Sequence, residues 1–418
     1  MAAQPPPHPD PTYPASVPPP VQSSVQPVPN PRPAAQVGRS PEQILSLLSS
    51  AQQPLPLLER IQLHNQVVHR VRAFLWQEGY VEIPVPELTP ATGSCEVVDS
   101  MFSLDYFGGL AFPRQTGQLF LEDMVARGFD AVYCEGESLR REAKVDARHL
   151  TEFKLIEIEK KNMSLSELCD FQEKLLKDII TVIHADLVGG DNVTRLDRTF
   201  RLEHPRMTYR EAIAVLNRRG FSLSFGDDLD REAEASLCRY GGHLPLHVTH
   251  FPESLKFFNM KLYRSDPAVV ECVDYILPYA GETFGGSVRE PEYDILQRRL
   301  YGGTMYGHLM KRAREFATMR FEAGAAVRAA GPPPLERGNQ LRLELEDLAA
   351  QYQRGIENSF LSYLELFKDH AIERAGFGLG VARLLQFVTG LDSIKDAVAF
   401  PMDRTQFGGL SQTAQVGG

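Results

Sequence analysis

The segment GFGLGVARLLQFVTG at 376–390 constrains the fold more than any other part of the chain. Gly376, Gly378 and Gly380 alternate with larger residues, and Arg383 lies where an apolar helix begins. Alternate residues of a strand face the same side, so this strand offers a flat floor for a planar ligand. The start of the following helix attracts anions, and Arg383 adds positive charge there. The spacing differs from the dinucleotide-binding fingerprint. Taken alone, the segment also fits a close strand–helix packing contact.

Two charged segments, 131–142 and 151–159, predict a β-hairpin whose arms are joined by a polar loop. Residues two apart share a face of their arm, which groups Arg140 with Glu142, and Phe153 with Glu157 and Glu159. Guanidinium groups pair with phosphate oxygens in fork geometry, and an aromatic ring can stack on a purine. The hairpin therefore fits a nucleoside triphosphate, with Arg148 and His149 closing its loop. Taken alone, it also fits a solvated hairpin with alternating charges.

A third candidate site combines Asp274 and Glu282 with the glycine-rich stretch that follows them, GGSVR at 285–289. Magnesium takes one or two carboxylates together with substrate phosphates, so two carboxylates that bracket a short turn can hold it. The glycines let the backbone approach a ligand closely, and Arg289 can pair with a substrate carboxylate. A loop with scattered acidic residues is the plainer alternative.

The remaining segments indicate antiparallel strands with helices between them, which is an α+β fold. Apolar residues recur at helical spacing in two segments, and Ser164 with Glu167 forms a capping box at the start of the second. The predicted helices are 58–78 and 164–184, the further predicted strands are 245–250, 270–277 and 360–366, and 291–355 is charged and helical in pattern.

Composition excludes several classes of protein. Residues 1–40 hold 13 of the 30 prolines and few charges, which predicts a disordered tail. No run approaches the ~18 apolar residues of a membrane helix, and no basic and apolar leader opens the chain, so we expect neither membrane nor secretion. Five cysteines without CxxC spacing argue against a disulfide framework and a zinc ribbon, which favours the cytoplasm. The net charge of -10 argues against a broad nucleic-acid-binding surface and leaves a local basic groove open.

In this order, the candidate segments resemble the three motifs of class II aminoacyl-tRNA synthetases, most closely the asparaginyl/aspartyl branch. Pro86 matches the proline of the first motif, LRRE with RHLTEF at 139–153 resembles the second, and GFGLGVAR at 376–383 resembles the third. Three further segments are similar to that branch: TGQLFLE at 116–122, FPESLKFF at 251–258 and GETFGGSVRE at 281–290. The similarity runs from about residue 58 to about residue 404.

The resemblance implies an antiparallel sheet flanked by helices, with ATP and Mg²⁺ as ligands and a homodimer as the assembly. Arg140 and Arg383 are then the catalytic residues, with Arg140 on the α-phosphate and Arg383 on the outer phosphates. The implied ATP-binding residues are Arg140, Glu142, Arg148, His149, Phe153, Gly380 and Arg383. The implied amino-acid-binding residues are Glu96, Gln118, Glu122 and Arg289, and the implied metal ligands are Asp274 and Glu282. The attacking group is the substrate carboxylate, so catalysis depends on positioning and charge stabilisation.

The chain also departs from the family. A β-barrel anticodon-binding domain precedes the family's catalytic core, where this chain has its proline-rich tail. We therefore expect one catalytic domain at 41–418 without that module, with a helical insertion at 291–355. A basic pair and a histidine that the family carries before its third motif are replaced by Phe367, Lys368 and Arg374.

Three functions are compatible with these features. The first is activation of asparagine or aspartate by ATP, followed by transfer to tRNA. The second is a tRNA-independent ligase that passes the adenylate to ammonia or another amine, as truncated relatives of the branch do. The third is a non-catalytic dimeric regulatory paralogue, against which the retained charged residues of all three motifs count.

Overall fold

The computed structural model describes residues 54–91, 100–183, 185–323 and 334–407. The predicted tail at 1–40 and the candidate residue Glu96 lie outside these ranges. The strands are β1 (Val81–Glu82), β2 (Leu88–Thr89), β3 (Leu104–Tyr106), β4 (Gly109–Pro113), β5 (Ala131–Leu139), β6 (Glu152–Lys161), β7 (Arg206–Thr208), β8 (Leu246–Thr249), β9 (Cys272–Leu277), β10 (Gly281–Val288) and β11 (Arg374–Gly380).

The helices lie between and around these strands. They are α1 (Leu57–Gln77), α2 (Gln118–Ala126), α3 (Leu165–Ile180), α4 (Ala185–Arg201), α5 (Tyr209–Arg218), α6 (Arg231–Tyr240), α7 (Tyr293–Gly302), α8 (Thr304–Ala323), α9 (Pro334–Glu365) and α10 (Val381–Thr389), with short 3₁₀ turns at Glu253–Leu255 and Ile394–Asp396. No helix in the described ranges is both long enough and apolar enough to cross a membrane.

Eight strands form the main sheet in the order β1-β5-β6-β11-β10-β9-β8-β7, and β2, β4 and β3 form a small second sheet. The pairs at the two edges of the main sheet, β1 with β5 and β7 with β8, are parallel, and the pairs between them are antiparallel. The predicted α+β fold with an antiparallel sheet flanked by helices is confirmed.

The two faces of the central strands have different surroundings. On one face, Ile158, Phe377 and Tyr275 belong to a large apolar core that α1, α3 and α10 cover with residues such as Val71 and Leu384. A second core forms where α5 to α9 pack around β8 and β9. The other face of β6, β11, β10 and β9 carries Glu157, Gly378, Gly285 and Asp274 in one row across the sheet. Small and charged residues in that row leave this part of the sheet open to a ligand.

Most predicted elements are present. The helices predicted at 58–78 and 164–184 are α1 and α3, and each begins within one residue of its predicted start. The capping box of Ser164 and Glu167 at the start of α3 is formed. Helices at Tyr293–Gly302, Thr304–Ala323 and 334–355 agree with the predicted helical pattern, and 324–333 lie outside the described ranges. The β1 strand lies at the edge of the sheet, as its neighbouring prolines indicate.

The strand predicted at 360–366 is wrong, because these residues form the end of α9 and the turn that follows it. Phe360, Tyr363 and Leu364 are buried, whereas Leu361 is exposed. Spacing of three and four residues between buried side chains is the pattern of a helix packed on one side. The short apolar run fits either period, and only the packing partners of the helix decide between them.

Candidate active site

A cleft of about 190 Å³ opens over the glycine-bearing centre of the sheet. Its floor follows from the strand register, in which Glu157 pairs with Gly378, Gly378 with Gly285, and Gly285 with Asp274. Gly378 and Gly380 line the cleft, as the glycine alternation predicts. Gly376 does not, because it makes room for the Glu159 carboxylate, which a side chain at 376 would overlap.

The structure brings eleven of the thirteen predicted site residues to this one cleft. They are Gln118, Arg140, Glu142, Arg148, His149, Phe153, Asp274, Glu282, Arg289, Gly380 and Arg383. Glu122 does not line the cleft, but it accepts a hydrogen bond at 3.2 Å from Gln118, which does. Glu96 is outside the described ranges.

The hairpin supplies one wall of the cleft. Arg140 follows directly after β5, and its backbone N–H donates to the Thr151 carbonyl at 2.8 Å, which fixes it to the opposite arm. Its guanidinium lies 5.0 Å from the centre of the Phe153 ring, a cation–π distance. Glu142 also lines this wall. The wall therefore presents a positive charge beside an aromatic face and a carboxylate.

The end of the cleft near the β9–β10 turn is held by Glu234 of α6. Its carboxylate accepts from Arg148 at 2.5 Å and from the backbone N–H of Glu282 at 3.1 Å. Arg383 donates to the Glu282 carbonyl. Burial lowers the pKa of Arg383, and the neighbouring carboxylates of Glu282 and Glu234 oppose this shift. Two guanidinium groups are thus kept at the same end of the site.

His149 lies at the entrance rather than deep in the cleft. Its Nδ1 is 2.7 Å from Oδ1 of Asp146 in the hairpin loop. The pKa of Asp146 is lowered overall. Partial burial raises it, but hydrogen bonds from the backbone N–H groups of Arg148 and His149 and from the His149 ring have the larger, opposite effect. The Asp146 carboxylate therefore orders the loop that carries Arg148 and His149.

Asp274 and Glu282 form a donor set suited to a magnesium ion. The Glu282 carboxylate lies over Gly285, where any side chain would overlap it, and Gly285 pairs directly with Asp274. Two neighbouring carboxylates on the floor of a cleft that can also admit phosphates match the ligands magnesium takes. The Lys256 ammonium contacts both oxygens of Asp274, each at 2.9 Å.

The opposite end of the cleft contains a buried carboxylate that the sequence analysis did not assign. Glu157 accepts hydrogen bonds from the Thr116 hydroxyl and, at 2.7 Å, from the backbone N–H of Gly117. Arg114 lies 3.7 Å from the same carboxylate. Arg289 lines this region too and is held by Glu159 at 3.0 Å and by the Ser287 hydroxyl at 2.6 Å. A carboxylate, Glu157, and a guanidinium, Arg289, therefore both line the cleft.

Behind this end lies a buried charge cluster of Glu122, Glu159, Arg289 and Arg374. Glu122 accepts from Arg374 at 2.5 Å, and also from Tyr363 and Asn259, at 2.7 Å each. Burial raises the pKa of Glu122, but Arg374 and Arg289 outweigh it and hold the pKa below its usual value. Burial raises the pKa of Glu159 to about 7, although Arg289 opposes this. Arg374 is thus the main partner of Glu122.

Among the described residues, Glu157, Glu234 and Lys256 take part in the site although the sequence analysis assigned no role to them. The two-residue alternation of the strand placed Glu157 on one face with Phe153 and Glu159, and this alternation could have indicated that Glu157 belongs to the site. Lys256 lies in FPESLKFF, which was noted without assigning a role to the lysine. Glu234 lies on a helix distant in sequence from the hairpin, and no local pattern indicates its pairing with Arg148.

Comparison with known proteins agrees with this geometry. The family model described as tRNA synthetases class II (D, K and N) matches residues 55–332 and 334–404. Asparagine--tRNA ligase of Pelotomaculum thermopropionicum is 27% identical over 347 residues, which is 82% of this chain and 68% of the relative. Asparaginyl-tRNA synthetase of Mus musculus is 27% identical over 369 residues, covering 82% and 66%. The chain thus spans about two thirds of the length of these relatives.

Solved structures give the same result. Asparaginyl-tRNA synthetase from Pyrococcus horikoshii complexed with asparaginyl-adenylate matches with a TM-score of 0.66 and 27% identity, over 83% of this chain and 68% of that one. An aspartyl-tRNA synthetase from Entamoeba histolytica, at 19% identity and a TM-score of 0.57, shares the fold. Because the family model covers nearly all of the described chain, the protein belongs to the class II tRNA synthetases of the D, K and N group.

Proposed function

We propose that this protein is an ATP-dependent ligase that activates asparagine to an aminoacyl-adenylate and transfers it to tRNA. The observation that carries the proposal is the cleft itself. It combines Arg140, Arg148 and Arg383, two carboxylates suited to magnesium, and a further carboxylate and guanidinium, Glu157 and Arg289. These three features must lie side by side, because the carboxylate of the amino acid has to reach the α-phosphate of ATP.

In the proposed reaction, Phe153 and Glu142 hold the adenine while Arg140 contacts the α-phosphate, and Arg148 and Arg383 hold the outer phosphates. A carboxylate oxygen of the amino acid attacks the α-phosphorus, the bond to the β-phosphate oxygen breaks, and pyrophosphate leaves. No side chain has to remove a proton, because the nucleophile is already ionised. Arg140 stabilises the charge that develops at the α-phosphate.

Asp274 and Glu282 would hold Mg²⁺, which, when bound, neutralises charge on the phosphate oxygens. The strand register supports this role, because it fixes both carboxylates on the floor of the cleft beside the arginines that face the phosphates.

The end of the cleft at Glu157 favours asparagine over aspartate. A carboxamide donates through its NH₂ group and accepts through its oxygen, which matches a carboxylate and a guanidinium. An aspartate side chain would place a second negative charge against the buried Glu157, which is only 4% exposed. Like charges in a buried site repel strongly.

Glu157→Gln is expected to lower kcat/KM for asparagine about 10- to 100-fold, because a charge-assisted hydrogen bond to the amide is lost. The preference for asparagine over aspartate should narrow with it. The measurement is ATP–pyrophosphate exchange at varied amino acid concentration. Glu135→Gln, on the same hairpin but outside the cleft, serves as the control. An unchanged preference in Glu157→Gln would remove Glu157 from the specificity site.

The function is tested by ATP–pyrophosphate exchange with asparagine and with aspartate, followed by addition of tRNA or ammonium. Asparagine-dependent exchange and charging of tRNA are the expected results. Asparagine formation from aspartate and ammonium would instead identify the tRNA-independent ligase. Absence of exchange with either amino acid would leave the non-catalytic paralogue.

We also propose a homodimer that forms through α1 and the neighbouring edge strand. Trp76 and Leu58 are 80% and 75% exposed, and Val81 and Leu88 are also exposed. Large apolar side chains exposed along a helix and the strands that follow it are the composition of a subunit interface. Trp76→Arg is expected to shift the sedimentation coefficient from dimer to monomer, because a charge replaces the largest apolar group of that surface. An unshifted dimer, or a monomeric unsubstituted protein, would contradict this interface.

For the organisation of the chain, we propose one catalytic domain over 41–418, with 291–355 as its helical insertion. Cys134, Cys169, Cys238 and Cys272 are buried free thiols, which supports a cytoplasmic location because such thiols persist in a reducing compartment.

A further inference from the structure

Lys256 forms an ion pair with Asp274, one of the two carboxylates of the predicted magnesium site. Its ammonium is 2.9 Å from each oxygen of Asp274, so it lies between the two oxygens rather than beside one of them. The two side chains are only 4% and 11% exposed. The ring of Phe251, whose centre is 4.4 Å away, holds the ammonium in place from another side.

A magnesium ion cannot share this position with the lysine. Magnesium binds oxygen at about 2.0–2.1 Å and demands near-octahedral geometry. An ammonium 2.9 Å from both oxygens takes the position between them, where an ion would bind both oxygens at once. Both groups are also cations, and their repulsion is strong where water is largely excluded.

The structure provides a place for the displaced ammonium. A second hollow of about 450 Å³ lies behind the cleft, lined by Lys256, Phe257 and Glu253 among others. Phe257 also lines the cleft, so the two spaces are separated by the segment that carries Lys256. Arg298 and Arg299 also line the hollow, and the 43% exposed Glu253 carboxylate accepts from Arg299 at 2.9 Å, so a displaced ammonium would share that carboxylate with Arg299. A lysine side chain, with four flexible carbons, can move between them.

We propose that Lys256 is an exchangeable counter-ion that neutralises Asp274 in the empty site and leaves for the second hollow when the divalent ion enters. This inference rests on the proposed function, because it assumes that the cleft binds ATP with a divalent ion. It assigns Lys256 a role in setting metal affinity, which the sequence motifs do not indicate. The charge of Asp274 is thereby neutralised when no metal is bound, and metal binding is weaker as a result.

Lys256→Met is expected to tighten Mn²⁺ binding to the protein–ATP complex about tenfold, because both the competitor and its charge are removed. The measurement is electron paramagnetic resonance of free Mn²⁺ in titrations with ATP and without amino acid. Lys261→Met is the matched control, since Lys261 lies five residues away and pairs with Glu373 at 3.2 Å outside the cleft. Its Mn²⁺ affinity should equal that of the unsubstituted protein.

A lysine that only orients Asp274 would give the opposite result. Mn²⁺ binding would then weaken in Lys256→Met, and either weaker or unchanged binding would overturn the proposal. An equal gain in Lys261→Met would also overturn it, because the effect would be general electrostatics. ATP binding is measured in parallel by calorimetry without metal. Failure of the unsubstituted protein to bind ATP would overturn the proposed function as well, whereas ATP binding with unchanged Mn²⁺ affinity would overturn this inference only.

A second measurement uses the unsubstituted protein and does not depend on the folding of a variant. Brief labelling with acetic anhydride, read by mass spectrometry, reports the accessibility of each lysine. Labelling of Lys256 is expected to increase several-fold when ATP and Mg²⁺ are added together, and to stay low with ATP alone. Equal labelling in the two conditions would show that the ammonium does not leave Asp274.

Discussion

Arg140→Ala is expected to lower the rate of ATP–pyrophosphate exchange by about 10²–10³-fold, the usual effect of removing one preorganised group that stabilises transition-state charge. Arg140 is the group on the hairpin wall whose guanidinium lies over Phe153 and faces the cleft. The loss should appear mainly in kcat, because charge at the α-phosphate grows as the carboxylate attacks.

The fold should survive this substitution. The structural role of residue 140 is carried by its backbone, which donates to the Thr151 carbonyl, and alanine keeps that hydrogen bond. Arg140→Lys should recover little activity, since an ammonium lacks the planar fork that matches phosphate oxygens. Circular dichroism and thermal unfolding of each variant check that it is folded.

The neighbouring Arg141→Ala is a sharp control. Arg141 is exposed, does not line the cleft and follows Arg140 directly in the chain. Its loss removes the same charge from the protein with no group taken from the site. Exchange at the unsubstituted rate in Arg140→Ala, or an equal loss in Arg141→Ala, would refute the assignment of Arg140.

Sequence patterns predicted the parts of this site that depend on local order. The alternation of glycines places Gly378 and Gly380 on the cleft floor, and the hairpin period places Phe153 and Glu157 on one face. Both signals act over a few residues, where strand geometry alone decides which side chains share a side. The order of the motifs along the chain then indicates which strands are brought together.

The partners of the charged residues could not be predicted in this way. Glu234 reaches Arg148 across 86 positions of the chain, and Arg374 reaches Glu122 across 252. Such pairs depend on the topology of the sheet and on the packing of helices, and no periodic pattern of residues indicates them. The same limit explains the error at 360–366, where a short apolar run fits two periods and its packing decides.

The Arg374–Glu122 pair shows what this hidden packing contributes. Both side chains are fully buried, and the Arg374 guanidinium also lies 3.8 Å from the centre of the Phe367 ring. Arg374 and Phe367 therefore form a stacked pair beside Glu122. Glu122 in turn holds Gln118, which lines the cleft. The cluster therefore links the stability of the fold to the shape of the amino acid site.

Arg374→Met is expected to reduce the free energy of unfolding by about 3–5 kcal/mol at neutral pH, because it leaves a buried carboxylate without its main partner. The measurement is urea unfolding. Arg127→Met is the control, since its partner Asp123 neighbours Glu122 on α2 but the pair is exposed, at 2.8 Å. An exposed ion pair of this kind contributes about 0–1 kcal/mol. Adding Glu122→Gln to Arg374→Met should recover part of the loss, because the unpaired charge is then absent.

The loss should also depend on pH, and its sign follows from the two carboxyl groups. In the unsubstituted protein the lowered pKa of Glu122 adds stability above its unfolded value, and this is lost as pH falls through the folded value. Without Arg374 the pKa of Glu122 rises, and burial already raises that of Glu159 to about 7. A raised pKa favours folding at low pH and costs stability as pH increases toward that value. The difference between Arg374→Met and the unsubstituted protein should therefore be larger at pH 8 than at pH 5. A difference that is independent of pH, or below about 1 kcal/mol, would mean that Glu122 does not depend on Arg374 for its charge.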